Sequence, residues 1–299
     1  VRTLGGGRRT IAVAVLLAVA LSLVVLGLAG VRDARSASGT VGAGTNGAVG
    51  AAAPACAAKP TIVLVHGAWA NTSSWNGEVT RLQRDGYVAR AVSNPLRDLT
   101  SDAASVAAFL DTIPGPIVLV GHSYGGAVIT NAAAGNPNVK ALVYVDAAAP
   151  AVGESTGELS GKTSALSAKP STLYDTVPRT TTPTGDTDLY LKETPFLRSF
   201  GPDLPRRTAQ ALWASQNPAA MNAFTTPSTA AAWKTIPSWY VFGTADRIIT
   251  PQSLTFMAHR AHARIKTVPG GSHLTLISHP QPVTDQILAA ARATCPKRR

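Results

Sequence analysis

Residues 116–126, Pro-Ile-Val-Leu-Val-Gly-His-Ser-Tyr-Gly-Gly, constrain the fold more than any other stretch of this 299-residue chain. A short apolar, β-branched run, Ile117 to Val120, meets the pentad Gly121-His122-Ser123-Tyr124-Gly125. A small-residue helical pattern, Gly126 to Ala134, follows it. Strand, sharp turn and helix in that order form the setting in which a Gly-x-Ser-x-Gly turn holds its serine in strained geometry and lifts the side chain clear of the sheet. The flanking positions must lack bulk for this turn to close. The alternative, a glycine-rich turn carrying an incidental serine, supplies no reason for the strand–helix context.

A serine at such a turn needs a base and an acid, and both follow it in the chain. His66 and His122 precede Ser123, and His259 and His262 fall within or just after a helical pattern, Pro251 to Ala261. His273 follows the strand-like run Ile265 to Val268 through Pro269-Gly270-Gly271-Ser272, a loop from which an imidazole can reach back over the serine. His279 is the fallback. Two aspartates end strand-like runs: Asp246 after Trp239 to Ala245, and Asp146 after Ala141 to Val145. Either could orient an imidazole, and either could instead cap a turn. The amide of Tyr124 and that of Ala68 or Trp69, in the loop after Thr61 to Val65, are the candidate donors to an oxyanion. Gly67 lets that loop approach a substrate. His66 reads as a residue that orients the loop.

With these residues assembled, the chain resembles the α/β-hydrolase superfamily from about Lys59 to Thr294. The motifs are Val65-His66-Gly67-Ala68-Trp69, Gly121-His122-Ser123-Tyr124-Gly125-Gly126, Asp246-Arg247-Ile248-Ile249 and Gly270-Gly271-Ser272-His273-Leu274. The branch of small bacterial esterases, plant methylesterases and hydroxynitrile lyases is the most similar. The resemblance implies Ser123, His273 and Asp246 as the catalytic residues, with Asp146 shaping the pocket. It also implies an oxyanion hole from Ala68 and Tyr124, and substrate contacts from Gly67, Trp69, His122 and Trp213. The lyases of the branch carry threonine where this chain has Gly67, and lysine where it has Leu274. Both departures speak against cyanohydrin cleavage and leave hydrolysis of a small-molecule carboxylic ester as the implied chemistry. The alternatives are a lyase or cofactor-free haloperoxidase, or a non-catalytic binding protein of the same fold.

Strand-like runs at 61–65, 87–92, 116–120, 139–145, 238–242 and 264–268 alternate with helical patterns such as Val79–Asp85 and Ala103–Asp111. That rhythm predicts an α/β fold, a mostly parallel sheet with helices on both faces. It stops between Pro150 and Thr235, where amphipathic pieces around Asp188–Phe200 and Leu204–Gln216 predict a helical lid between the nucleophile and acid strands. Tyr190, Phe196, Trp213, Met221 and Phe224 are its candidate pocket or core residues. The domain proper is expected over 59–295, with the lid at 150–235.

Ile11 to Val31 is uncharged and apolar, and Arg2, Arg8 and Arg9 precede it. It reads as an export signal, residues 1–37, with a twin-arginine-like start. Its length, near the roughly 20 residues of a membrane span, leaves a retained N-terminal anchor through 11–31 as the alternative. Residues 38–58 form an Ala/Gly-rich tether and 296–299 a basic tail. The only two cysteines, Cys56 and Cys295, bracket the domain, and in an exported protein a disulfide between them is the natural expectation. The net charge of +11 resides partly in the two ends. Without a Lys/Arg stripe and interleaved aromatics it does not suggest nucleic-acid binding. Neither a metal-ligand spacing nor a dinucleotide or P-loop pattern occurs, so no cofactor is expected. The oligomeric state is left unspecified.

Overall fold

Six strands form one parallel sheet in the order β2-β1-β3-β4-β8-β9. They are β1 (Thr61–Val65), β2 (Ala89–Val92), β3 (Ile117–His122), β4 (Val139–Val145), β8 (Ser238–Gly243) and β9 (Arg264–Val268). The remaining three strands belong to an insertion described below. The computed structural model describes residues 59–179 and 186–295. The expected export segment, the tether, Cys56 and the tail 296–299 lie outside the described residues. Among the described residues no helix is long and apolar enough to cross a membrane.

The central strands β3 and β8 are buried at every position, and β4 at all but Lys140, because helices cover both faces of a parallel sheet. The edge strands are only partly buried, which is why β9 mixes Arg264, Lys266 and Thr267 with Ile265 and Val268. Helix α1 (Asn76–Arg84) packs on α10 (Pro280–Ala293), and α2 (Leu99–Asp111) packs on α3 (Tyr124–Ala132). Their starts follow from local chemistry: Asp98 accepts the Ser101 amide at 2.9 Å as the α2 cap, and Pro280 opens α10. The strand order reverses at β1, which pairs in parallel register with β2 on one side and β3 on the other. The carboxyl ends at such a reversal leave a crevice, the usual place for a ligand in an open α/β sheet.

Between β4 and β8 the chain builds the lid. Its helices are α4 (Pro170–Leu173), α5 (Glu193–Pro195), α6 (Arg206–Ala214) and α7 (Asn222–Thr225), of which α5 and α6 fall in the two expected pieces, and it carries in addition a small antiparallel sheet. That sheet runs β5 (Tyr174–Pro178), β6 (Thr187–Leu191) and β7 (Ala219–Ala220) in the order β5-β6-β7. The segment Asp188–Phe200 is therefore strand first and helical only from Glu193. Its start alternates Leu189 and Leu191, buried, with the half-buried Asp188 and Tyr190, the period of a half-buried strand. Arg260 on α8 (Pro251–Arg260) anchors the lid's start through two hydrogen bonds to the Glu154 carboxylate, at 2.6 and 2.7 Å.

Candidate active site

Ser123 sits between β3 and α3 with φ 54° and ψ −125°, a conformation that costs a non-glycine residue about 1–3 kcal/mol. The elbow closes only because its flanks are bare. A Cβ on Gly121 would lie 2.5 Å from the Gly125 carbonyl, and one on Gly125 would lie 2.6 Å from that of Val65. Tyr124 opens α3, so its amide has no acceptor within the helix.

The structure brings His273 and Asp246 to this serine. His273 Nε2 lies 2.8 Å from Ser123 Oγ, and His273 Nδ1 lies 2.7 Å from Asp246 Oδ2. The two loops abut, with the Ala245 amide donating to the Gly271 carbonyl at 2.9 Å. Asp246 Oδ1 accepts the amides of Ile248 at 2.7 Å and Ile249 at 3.1 Å. Those bonds fix the carboxyl plane and leave Oδ2 for the imidazole. With Nδ1–H donated to Asp246, Nε2 is the acceptor for the serine hydroxyl. Burial disfavours charge on either partner: it pushes His273 down to about 3 and Asp246 up, while the two amides pull Asp246 back. His273 is thus held neutral, with Nε2 facing the serine hydroxyl.

The β1 loop lies over the elbow. A Cβ on Gly67 would stand 2.6 Å from Ser123 Cβ and 2.9 Å from the His122 carbonyl, so this glycine is demanded by the elbow beneath it. His66 accepts the Asn94 amide at Nε2 (3.0 Å) and so donates from Nδ1 to the Gly67 carbonyl (2.9 Å). Ala68 and Trp69 follow, both buried. Trp69 is held at φ 54° by its surroundings. Its ring stacks on Phe224 (5.1 Å) and Tyr174 (5.6 Å), and its indole N–H donates to the Leu189 carbonyl at 2.9 Å. Beyond this stack a cavity of about 480 Å³ opens in the lid, lined among others by Tyr174, Leu189, Met221, Phe224 and Glu158.

Three residues expected at the substrate spend their polar groups on other parts of the protein. Asp146 is fully buried: Oδ1 accepts the Gly243 amide at 2.8 Å, and Oδ2 accepts the Thr275 hydroxyl. It braces the ends of β4 and β8 against α9 (Thr275–Ser278), and burial together with the Asp246 charge raises its carboxyl well above the ordinary range. His122, also fully buried, points behind the base, with Nε2 2.9 Å from the His273 carbonyl and ring centroids 5.0 Å apart. Trp213 on α6 donates its indole N–H to the Leu191 carbonyl at 2.9 Å and ties helix to lid sheet. Among the lid aromatics, Phe196 stacks on Phe200 (4.9 Å), and Phe200 in turn sets its edge against His273 (4.9 Å). Tyr190 lies mid-strand in β6 opposite Asp175.

Residues that no motif announces complete the site. Asp203 in the lid accepts the Ser272 amide at 3.0 Å and its hydroxyl, holding the loop of the base from above. Asp102 on α2 accepts the Tyr124 hydroxyl at 2.7 Å. Both aspartates stand in ordinary polar stretches, and only their placement distinguishes them.

Comparison with known proteins agrees with this architecture. Residues 62–286 match the model of the alpha/beta hydrolase family. A probable hydrolase of Phoma sp. is 26% identical over 210 residues, 65% of this chain and 80% of that protein. An alpha/beta hydrolase of Aspergillus novofumigatus is 36% identical over 125 residues, covering 35% of this chain and 50% of that one. Among solved structures, polyneuridine aldehyde esterase superposes with a TM-score of 0.66 at 17% identity, over 78% of this chain and 99% of the other. An extracellular alpha/beta-hydrolase from a Paenibacillus species superposes with a TM-score of 0.63 at 24% identity, over the same shares. At these identities the structural matches speak for the fold alone. The family model spans most of the chain, and the protein belongs to the alpha/beta hydrolase family.

Proposed function

We propose that this hydrolase cleaves carboxylic esters of small to medium, apolar substrates, with Ser123 as nucleophile, His273 as general base and Asp246 as the acid that orients it. The observation that carries the reading is the continuous hydrogen-bonded run from Ser123 Oγ through the imidazole to Asp246, at 2.8 and 2.7 Å. His273 takes the hydroxyl proton as Oγ attacks the ester carbonyl, and the amides of Tyr124 and Ala68 hold the oxyanion. Collapse of the tetrahedral intermediate expels the alcohol with the proton from His273. Water, deprotonated by the same nitrogen, then releases the acid and restores the serine.

The lid cavity beside Trp69 supports an apolar group on the substrate, since Tyr174, Leu189, Met221 and Phe224 face it. Ser123 is only 7% exposed, so an ester reaches it only when the groups around it move aside. A threonine at Gly67, the feature of the lyases in the similar branch, has no room above Ser123. Export of the enzyme, and a Cys56–Cys295 disulfide closing the domain, belong to the same proposal. The test is hydrolysis of p-nitrophenyl esters from acetate to octanoate by the full chain, with Ser123→Ala beside it. Turnover and fluorophosphonate labelling that both vanish in Ser123→Ala, with an unchanged melting temperature, support the reading. A folded wild type whose ester turnover equals that of the variant sinks it.

A further inference from the structure

Tyr124 follows the nucleophile and opens α3, yet its side chain answers to the lid. The ring is fully buried, and the hydroxyl donates to Asp102 Oδ2 at 2.7 Å. Asp102, itself 0% exposed, also accepts the Arg97 amide, with both oxygens 3.0 Å from that nitrogen. Arg97 spends its guanidinium on the lid: Nη1 pairs with Asp188 on β6, and Nη2 donates to the Pro218 carbonyl, just before β7, at 3.1 Å. Its Nε returns to the Pro95 carbonyl at 2.9 Å, which fixes the loop that carries it. One buried carboxylate therefore joins the residue beside the nucleophile to the clamp that seats the lid sheet. Phe224 of α7, 6.2 Å from the Tyr124 ring, is a second lid contact on the same tyrosine.

We propose that Asp102 is a positioning residue that couples lid seating to the oxyanion pocket, holding Tyr124 in register only while Arg97 grips Asp188 and Pro218. The proposal rests on the esterase reading, because it gives the Tyr124 amide its role. A carboxylate suits the task because each of its oxygens can accept a separate donor, and hydrogen bonds to a charged group are about twice as strong as neutral ones. It also makes the coupling sensitive to protonation. Burial lifts Asp102 to about 6, against the pull of the Arg97 amide and the Tyr124 hydroxyl. The charged and titratable groups facing it are Tyr124 from α3, Arg97 from the preceding loop and Asp98 from the α2 cap. Helix α7, which also packs on α2, has only Asn, Ala, Phe and Thr.

The experiment is a mutant cycle on the full chain, read as kcat and KM for p-nitrophenyl butyrate and as the rate of fluorophosphonate labelling at Ser123. Tyr124→Phe and Asp102→Asn are each expected to lower kcat about three- to tenfold, the scale of one buried hydrogen bond, with KM within about twofold. The double variant should be no slower than the worse single one, and Arg97→Gln should add nothing on top of Asp102→Asn. The wild-type kcat should step down as pH falls through about 6, and this step should be missing from Asp102→Asn. Losses that multiply, or variants that melt earlier yet keep the wild-type kcat and pH step, overturn the proposal and make Asp102 a mere α2–α3 staple. If Asp102→Asn does not fold, the pair Tyr124→Phe and Arg97→Gln carries the same cycle. A wild type that labels at Ser123 but hydrolyses no ester refutes the esterase reading, and the coupling is then judged on labelling rates. Absence of labelling overturns both.

Discussion

Gly67→Ala is the sharpest perturbation of this site, because one added methyl group meets the side-chain carbon of Ser123, the proposed nucleophile. The new Cβ would lie 2.6 Å from Ser123 Cβ, where two carbons in contact need about 3.5–4.0 Å. It would also lie 2.9 Å from the His122 carbonyl, so sideways escape is closed. Neither partner is the loose end of a long side chain. The elbow is pinned by the bare approach of Gly125 to Val65, and the β1 loop must therefore lift by about 1 Å. The first residue carried along is Ala68, a proposed oxyanion donor. A misplacement of about 1 Å costs about a hundredfold in rate. Overpacking of this kind costs about 1–3 kcal/mol in stability, which a domain of this size can bear. Steady-state kcat with p-nitrophenyl butyrate, the labelling rate of Ser123 and a melting curve should be measured on one preparation. The expectation is a kcat down by about two orders of magnitude in a folded protein. Gly77→Ala in α1 is the control: its Cβ meets the flexible end of Arg81 at 3.4 Å, Pro280 Cβ at 3.5 Å and the Leu276 carbonyl at 4.0 Å, no clash as close as that at Gly67, and helix propensity adds about 0.5–1 kcal/mol. A Gly67→Ala enzyme within threefold of wild type would refute the premise that the β1 loop supplies an oxyanion donor.

The two buried aspartates should separate cleanly. Asp246→Asn loses the carboxylate that selects the His273 tautomer and should drop kcat by about 10⁴-fold, whereas Asp146→Asn should chiefly lower the melting temperature; the reverse pattern would move the acid to β4. Phe224→Ala removes half the stack on Trp69 and enlarges the lid cavity. At about 0.8 kcal/mol per buried methylene, room for two more should raise the octanoate-to-butyrate ratio of kcat/KM about tenfold, and an unchanged profile would show that acyl chains lie elsewhere. Intact mass after alkylation, with and without reductant, tests the proposed Cys56–Cys295 bond in the exported protein, and two alkylated thiols without reductant would rule it out.

Much of the fold was legible in one dimension because a parallel sheet buries both faces and so writes its strands as apolar runs. Thr61–Val65 and Val139–Val145 have the bounds their composition suggests, and the Gly-Ser-Gly turn stands between strand and helix. The lid was less legible. Asp188–Phe200 carries enough apolar residues for a helix, and its first turn became β6 because β5 and β7 were there to pair with it.

The site divides along the same line. Local sequence determined which backbone could strain, at Ser123, and that Gly121 had to stay bare, since its Cβ would meet Gly125 four residues on; the demand for a bare Gly125 comes instead from Val65 on β1, a tertiary neighbour. Tertiary structure decided the partners. Asp146 and Asp246 both end strands and both are buried, yet only one loop turns toward His273. Asp102 and Asp203 gained their places beside Tyr124 and Ser272 from packing between elements. The bonds that define the site span 27 residues, from Asp246 to His273, and 150 from Ser123 to His273. No spacing rule reaches so far, because such a contact is set by how every intervening strand, helix and loop packs.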